Sequence, residues 1–133
     1  MRITRAADIG LRALMVLAGR PDDQTTVARL ADQLAVPERH LGKVVQKLAA
    51  GGLVETVRGR GGGLRISTAG LAATAADVLV ATEGRRPAVN CYDPPCPLLA
   101  HDCKLRGALA HAQDAFLDDL AGFTIAELAT PLG

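Results

Sequence analysis

The sequence predicts a mainly α-helical fold carrying one small two-stranded β wing. Three observations predict it. Apolar residues recur at helical spacing through most of the chain, and proline separates two of the helical patterns after a very short break. A glycine-rich stretch at 58–63 is flanked by two short strand-like runs, Leu53-Val54-Glu55-Thr56-Val57 and Leu64-Arg65-Ile66, which reads as a hairpin.

Residues 6–19 set Ala7, Leu11, Leu14, Met15 and Ala18 on one stripe, with Asp8 in the opening turn where the helix dipole favours an acid. Gly19 to Gln24 is a turn, broken by Pro21 and two Asp residues. Thr25 or Thr26 can cap the next helix, whose stripe is Val27, Leu30, Ala31 and Leu34. Ala35-Val36-Pro37 is a tight break, and proline suits the first turn of the helix that follows. Leu41, Val44, Val45 and Leu48 form the buried face of that helix, and Gly51-Gly52 ends it. Two short helices across so tight a turn make a helix-turn-helix.

Strands are expected at 53–57 and 64–66. Between them, Arg58-Gly59-Arg60-Gly61-Gly62-Gly63 gives the backbone freedom of a tight hairpin. Alone, this is a soluble Gly/Arg turn. Directly after a helix-turn-helix it reads as a wing whose Arg58 and Arg60 reach phosphates or a narrow minor groove. Residues 1–70 are therefore expected to form a winged helix-turn-helix.

Rear residues 71–133 read as a different unit. Thr74 and Asp77 form a capping pair for a helix over 75–83, closed by Gly84. A loop over about 85–103 follows, and a long helix from about 104 to 120 carries Leu105, Leu109, Ala112, Phe116 and Leu120 on one stripe. That stripe suits packing against a partner helix. Thr124 caps a final turn. With Tyr92, Phe116 and Phe123 the full set of aromatics, the core is built from small aliphatic side chains, and dimerisation is a natural source of further burial.

Charge divides the chain the same way. Eleven Arg and Lys against six acids leave residues 1–70 at +5, while four against eight leave residues 71–133 at −4. A basic front half suits a polyanion. On the second helix of the motif, Arg39, Lys43 and Gln46 lie opposite the apolar face. Arg and Lys match guanine edges and phosphates, and Gln matches adenine. His40 and Lys47 sit on the flank, placed for backbone phosphates. The plain alternative is a solvated charged face.

All three cysteines, Cys91, Cys96 and Cys103, fall within thirteen residues of the proline-rich loop. An odd number cannot pair off into disulfides, so the cluster points to thiolate chemistry, metal ligation above all. No apolar run is long enough to span a membrane and no secretory leader is present, so a cytoplasmic protein with reduced thiols is expected. The chain carries no nucleotide loop, and its three histidines support no catalytic arrangement; an enzyme is not expected.

Together these residues resemble the NsrR and IscR group of iron–sulfur winged-helix transcription regulators. The resemblance rests on Met1-Arg-Ile-Thr with Asp8, the wing Val57-Arg-Gly-Arg-Gly-Gly-Gly-Leu64, Thr-Glu-Gly at 82–84, the three cysteines, and Phe116 with Phe123-Thr-Ile-Ala-Glu-Leu128. It covers essentially the whole chain. Pro95-Cys96-Pro-Leu and Ala112-Gln-Asp-Ala-Phe116 look closest to the NsrR branch, whose members sense nitric oxide.

The resemblance implies that Cys91, Cys96 and Cys103 hold an iron–sulfur cluster, 4Fe–4S foremost and 2Fe–2S as the alternative. A cluster normally takes four protein ligands. In the NsrR branch the position matching Asp8 supplies a carboxylate from the other subunit. In the IscR branch a histidine three residues after the last cysteine does so. That position is Arg106 here, which favours Asp8 over the histidine arrangement. His101, inside the loop, is a second candidate, and Asp8 read without the family is simply a first-turn acid. The cysteine gaps hold four and six residues where the family has five in each, with the same total span.

The implied function is a homodimeric repressor of double-stranded promoter DNA, released when nitric oxide nitrosylates the cluster. A related regulator of redox state or iron supply is the alternative. A small electron-transfer protein would not need the basic wing, and a zinc-stabilised DNA-binding module would be indifferent to nitric oxide.

Overall fold

A computed structural model of the chain describes residues 2–59 and 63–132. Helix α1 (Arg5–Ala18) starts at Thr4, whose extended backbone and Oγ1, accepting from the Ala7 amide at 3.1 Å, cap it. Helix α2 (Val27–Leu34) is capped by Thr26, which accepts from the Arg29 amide at 3.1 Å. Thr25 has a different task. It exchanges two backbone hydrogen bonds with Leu64, at 2.9 and 2.7 Å. The turn into helix α3 (Glu38–Ala50) places Ala35 in the left-handed region at φ 55, and Pro37 stands at the N-cap rather than within the first turn.

Strands β1 (Val54–Val57) and β2 (Gly63–Ile66) pair antiparallel, with Val54 opposite Ile66 and Glu55 opposite Arg65. Arg65 Nε donates to Glu55 Oε2 at 2.9 Å across the pair. The predicted two-stranded wing is present, and Thr25 bridges Leu64 on the edge of β2 away from β1. Gly63 is needed there: a Cβ would stand 2.7 Å from the Thr25 carbonyl oxygen. Of the wing tip, Arg60 lies outside the described residues.

A short helix that the sequence pattern did not reveal, α4 (Thr68–Ala72), follows the wing. It is capped by Ser67, whose hydroxyl accepts from the Gly70 amide at 2.9 Å and donates to the Gly52 carbonyl at 2.6 Å. Helix α5 (Ala75–Glu83) has the expected box: Asp77 accepts from the Thr74 amide at 2.9 Å while Thr74 accepts from the Asp77 amide at 3.1 Å. The long helix α6 (Lys104–Leu120) forms over the expected residues.

One apolar cluster joins these parts. Leu14 of α1, Leu30 of α2, Leu41 and Leu48 of α3, Leu64 of β2, Val78 of α5 and Ile125 are all fully buried. The core therefore crosses residue 70, where the charge of the sequence changes sign. Helix α5 packs on α1 and α3, and the final segment returns to the same core. The Ile125 amide donates to the Ala73 carbonyl at 2.8 Å, and that of Thr130 to Met15 at 2.9 Å. Helix α6 stands apart, with no buried residue along its length and contact chiefly with α5. Among the described residues, no helix is long and apolar enough to cross a membrane.

Because Ile125 fills the core from outside the helical scaffold, Ile125→Ala should lower unfolding free energy by about 2–5 kcal/mol in urea denaturation. A loss below about 1 kcal/mol would place the returning segment outside the cooperative unit.

Candidate functional site

Two surfaces carry the chemistry. The first is the outer face of α3. Leu41, Val44, Val45 and Leu48 are buried on the inner side, which leaves Arg39, His40, Lys43, Gln46 and Lys47 exposed. Seven residues separate Arg39 from Gln46, so at 1.5 Å per residue the polar row is about 10 Å long, close to the width of a major groove. Arg58 is exposed at the start of the wing loop. Helix face and wing are fixed to each other because α3 leads through the Gly51-Gly52 turn directly into β1. The Leu53 amide donates back to the Leu48 carbonyl at 2.9 Å.

Lys47 differs from the others. Its Nζ donates to the Thr82 carbonyl at 3.1 Å, joining the last turn of α3 to the last turn of α5. No local pattern in the sequence signals a contact between residues so far apart.

The second surface is the cysteine loop. It leaves α5 at Gly84, where φ is 72. Asn90 organises the next stretch: its Oδ1 accepts from the Tyr92 and Asp93 amides, each at 3.0 Å, and its Nδ2 donates to the Asp93 carbonyl at 2.6 Å. The Cys96 amide donates to the Cys91 carbonyl at 2.9 Å, closing a turn with a cysteine at each end. A 3-10 helix, Pro97–Ala100, separates this turn from Cys103, which is the N-cap residue of α6. The loop is held to α6 by Gln113 Nε2, which donates to the Arg86 carbonyl at 2.6 Å.

All three thiols are free and half-buried. Soft thiolate donors, close in sequence and not consumed by disulfides, suit an iron–sulfur group. The donor chemistry fits. Convergence within one chain is another matter: among the described residues, no three His, Cys, Asp or Glu side chains gather as a metal site. His101 is exposed in the loop. Asp8 is occupied locally, its Oδ1 accepting from Arg12 Nε at 2.7 Å with both side chains about half exposed.

Asp8 nevertheless lies near the root of the loop in the fold. The Thr4 amide, one turn before Asp8, donates to Glu83 Oε1 at 2.8 Å, so the start of α1 is tied to the end of α5. No local pattern in the sequence signals this tie either.

The Rrf2 family, described as "Iron-dependent Transcriptional regulator", matches residues 3–131. The chain is 39% identical to the HTH-type transcriptional repressor NsrR of Streptomyces coelicolor, over all of this chain and 92% of that protein. Among solved structures, CymR, the global cysteine regulator of B. subtilis, superposes with a TM-score of 0.76 at 25% identity, covering 97% of this chain and 96% of that one. IscR of T. potens superposes with a TM-score of 0.73 at 16% identity over 96% and 85%, a likeness of fold.

The Asp8–Arg12 pair is an exposed i, i+4 pair, so solvent screens it and its worth is small. Arg12→Ala should change the unfolding free energy of the metal-free protein by less than about 0.5 kcal/mol. A loss of 2 kcal/mol or more in chemical denaturation would show that the pair is structural.

Proposed function

The chain belongs to the Rrf2 family of transcription regulators, and from that premise we propose that it is a cytoplasmic, homodimeric repressor that releases promoter DNA in response to nitric oxide. It is not an enzyme. The observation that carries the reading is the placement of a three-thiol loop at the end of α5, a helix packed directly against α1 and the recognition helix α3.

In this reading Cys91, Cys96 and Cys103 hold an iron–sulfur cluster through their sulfur atoms, and Asp8 of the partner subunit supplies the fourth donor. When bound, the cluster, 4Fe–4S foremost, supplies iron that reacts with nitric oxide. The remaining chemistry belongs to the chain. A carboxylate is a harder donor than the three thiolates, so Asp8 would be the least tightly held of the four. Arg12 stands one turn away to receive it. Asp8 thus has two alternative partners, one across the dimer and one within its own helix.

The proposed dimer would form through α6. Its 17 residues include none that is buried, and Leu105 is 65% exposed. At about 25 cal/mol per Å² of apolar surface covered, a second α6 is the natural cover for this stripe. Such a dimer sets two copies of α3 at a fixed separation, and operator binding requires that separation to match successive major grooves, about 34 Å apart. Arg39, Lys43 and Gln46 then meet base edges, while His40, Arg58 and Arg60 meet phosphates or the minor groove.

Anaerobic purification should give a coloured dimer whose native mass includes iron and sulfide, and nitric oxide should bleach it and weaken operator binding. A colourless, zinc-loaded protein would overturn the proposal, and so would equal operator affinity of the loaded and metal-free forms. Asp8→Ala should leave three-thiol loading possible but speed cluster loss, whereas His101→Ala should not.

The basic face makes its own prediction. Lys43→Ala should weaken operator binding and relax base preference at the position it reads, with the slope of log K against log salt little changed. Uniform weakening across sequences with a slope lower by about 1 would assign it to a phosphate instead.

A further inference from the structure

Helices α3 and α5 meet near their C-terminal ends, and the Lys47 bond crosses that contact. The Thr82 carbonyl belongs to the last turn of α5, where backbone acceptors lack intrahelical partners and carry the negative end of the helix dipole. An ammonium is well suited to that position. Thr82 itself is firmly held. Its side chain is buried, and its Oγ1 donates to the Val78 carbonyl at 2.8 Å. Its Cγ2 lies against α1, only 3.0 Å from where a Cβ on Gly10 would stand. Two residues later Gly84 turns the chain into the cysteine loop.

Three helices therefore meet at Thr82: α1 by packing, α5 by membership, and α3 by Lys47. We infer that Lys47 is a positioning residue that couples the root of the cysteine loop to the recognition helix, so that the loop's state sets the seating of α3. The inference rests on the switch proposed above and names the contact through which it is transmitted. When the loop reorders, the last turn of α5 is the first helical segment it pulls on. Movement of the Thr82 carbonyl moves or frees the lysine, and the end of α3 loses its only side-chain hydrogen bond to α5 among the described residues.

A lysine on the flank of a recognition helix is otherwise read as a phosphate contact, and the two roles separate cleanly. A phosphate contact contributes to every DNA-bound state. Its removal weakens binding equally with and without the cluster and lowers the salt slope by about 1. A coupling residue acts on the difference between states. Its removal shrinks the ratio of loaded to metal-free affinity and leaves the slope unchanged.

The experiment measures operator binding of the full-length protein, loaded and metal-free, across a salt series, for wild type, Lys47→Met and Lys47→Arg. Amide exchange at Gly84, whose N–H donates to the Val80 carbonyl at 2.9 Å, is followed in the metal-free protein. In Lys47→Met the affinity ratio should fall by about tenfold, within the range usual for coupled sites, with the slope unchanged and Gly84 exchange faster. Lys47→Arg, which keeps a cationic donor, should restore both towards wild type. Equal loss in both states with a slope lower by about 1 would overturn the inference, as would an unaltered ratio and exchange rate. If the wild-type ratio were itself 1, the proposed switch would fail. Unaltered Gly84 exchange in metal-free Lys47→Met would then separately show that Lys47 does not hold the end of α5.

Discussion

The burial of α5 is the constraint on which the rest of the structure depends. This nine-residue helix contributes Ala75, Ala76, Val78, Leu79 and Thr82 to the interior, and it lies against both α1 and α3. Small side chains let it approach closely. Gly10 of α1 has no Cβ to hold off Thr82, and a Cβ added at Gly51, at the end of α3, would meet that of Ala81 at ordinary contact distance. The basic front and acidic rear of the chain are thereby made one packed body, joined by close packing and, among the described residues, by no ion pair.

Much of this was legible in the sequence. Leu41, Val44, Val45 and Leu48 announced the inner face of α3 because a 3.6-residue period leaves only one way to bury them, and the polar face followed by subtraction. The Thr74–Asp77 box and the glycine-rich wing were readable because capping and tight turns depend on residues a few positions apart. Family resemblance supplied what periodicity could not, above all a role for three cysteines in one loop.

What escaped the sequence was long-range or weakly patterned. Helix α4 is five residues of Thr, Ala, Gly and Leu with no stripe, and it exists because Ser67 caps it and Gly70 slips beneath Leu53 and Ile66. The bonds from Thr4 to Glu83 and from Lys47 to Thr82 join residues 79 and 35 positions apart. A surface lysine looks the same in sequence whether it meets solvent, a phosphate or a carbonyl. The site is similar in this respect: residue types named the donors, but a partner subunit is needed to say how Asp8 could join them.

The half-covered face of α6 bears on which parts of the molecule would depend on a partner. The core formed by α1, α2, α3, the wing and α5 closes within a single chain, and the returning Ile125 segment seals it. Helix α6 leaves its apolar stripe only half covered in that same chain, with Leu105 the most exposed of its large side chains. Two kinds of stability coexist. In the proposed dimer the core would keep its packing within each chain, whereas the cysteine loop, rooted on one side in α5 and on the other in α6, would inherit the mass-action behaviour of association. In a dilute cell the loop would be the first part of the protein to sense how many copies are present.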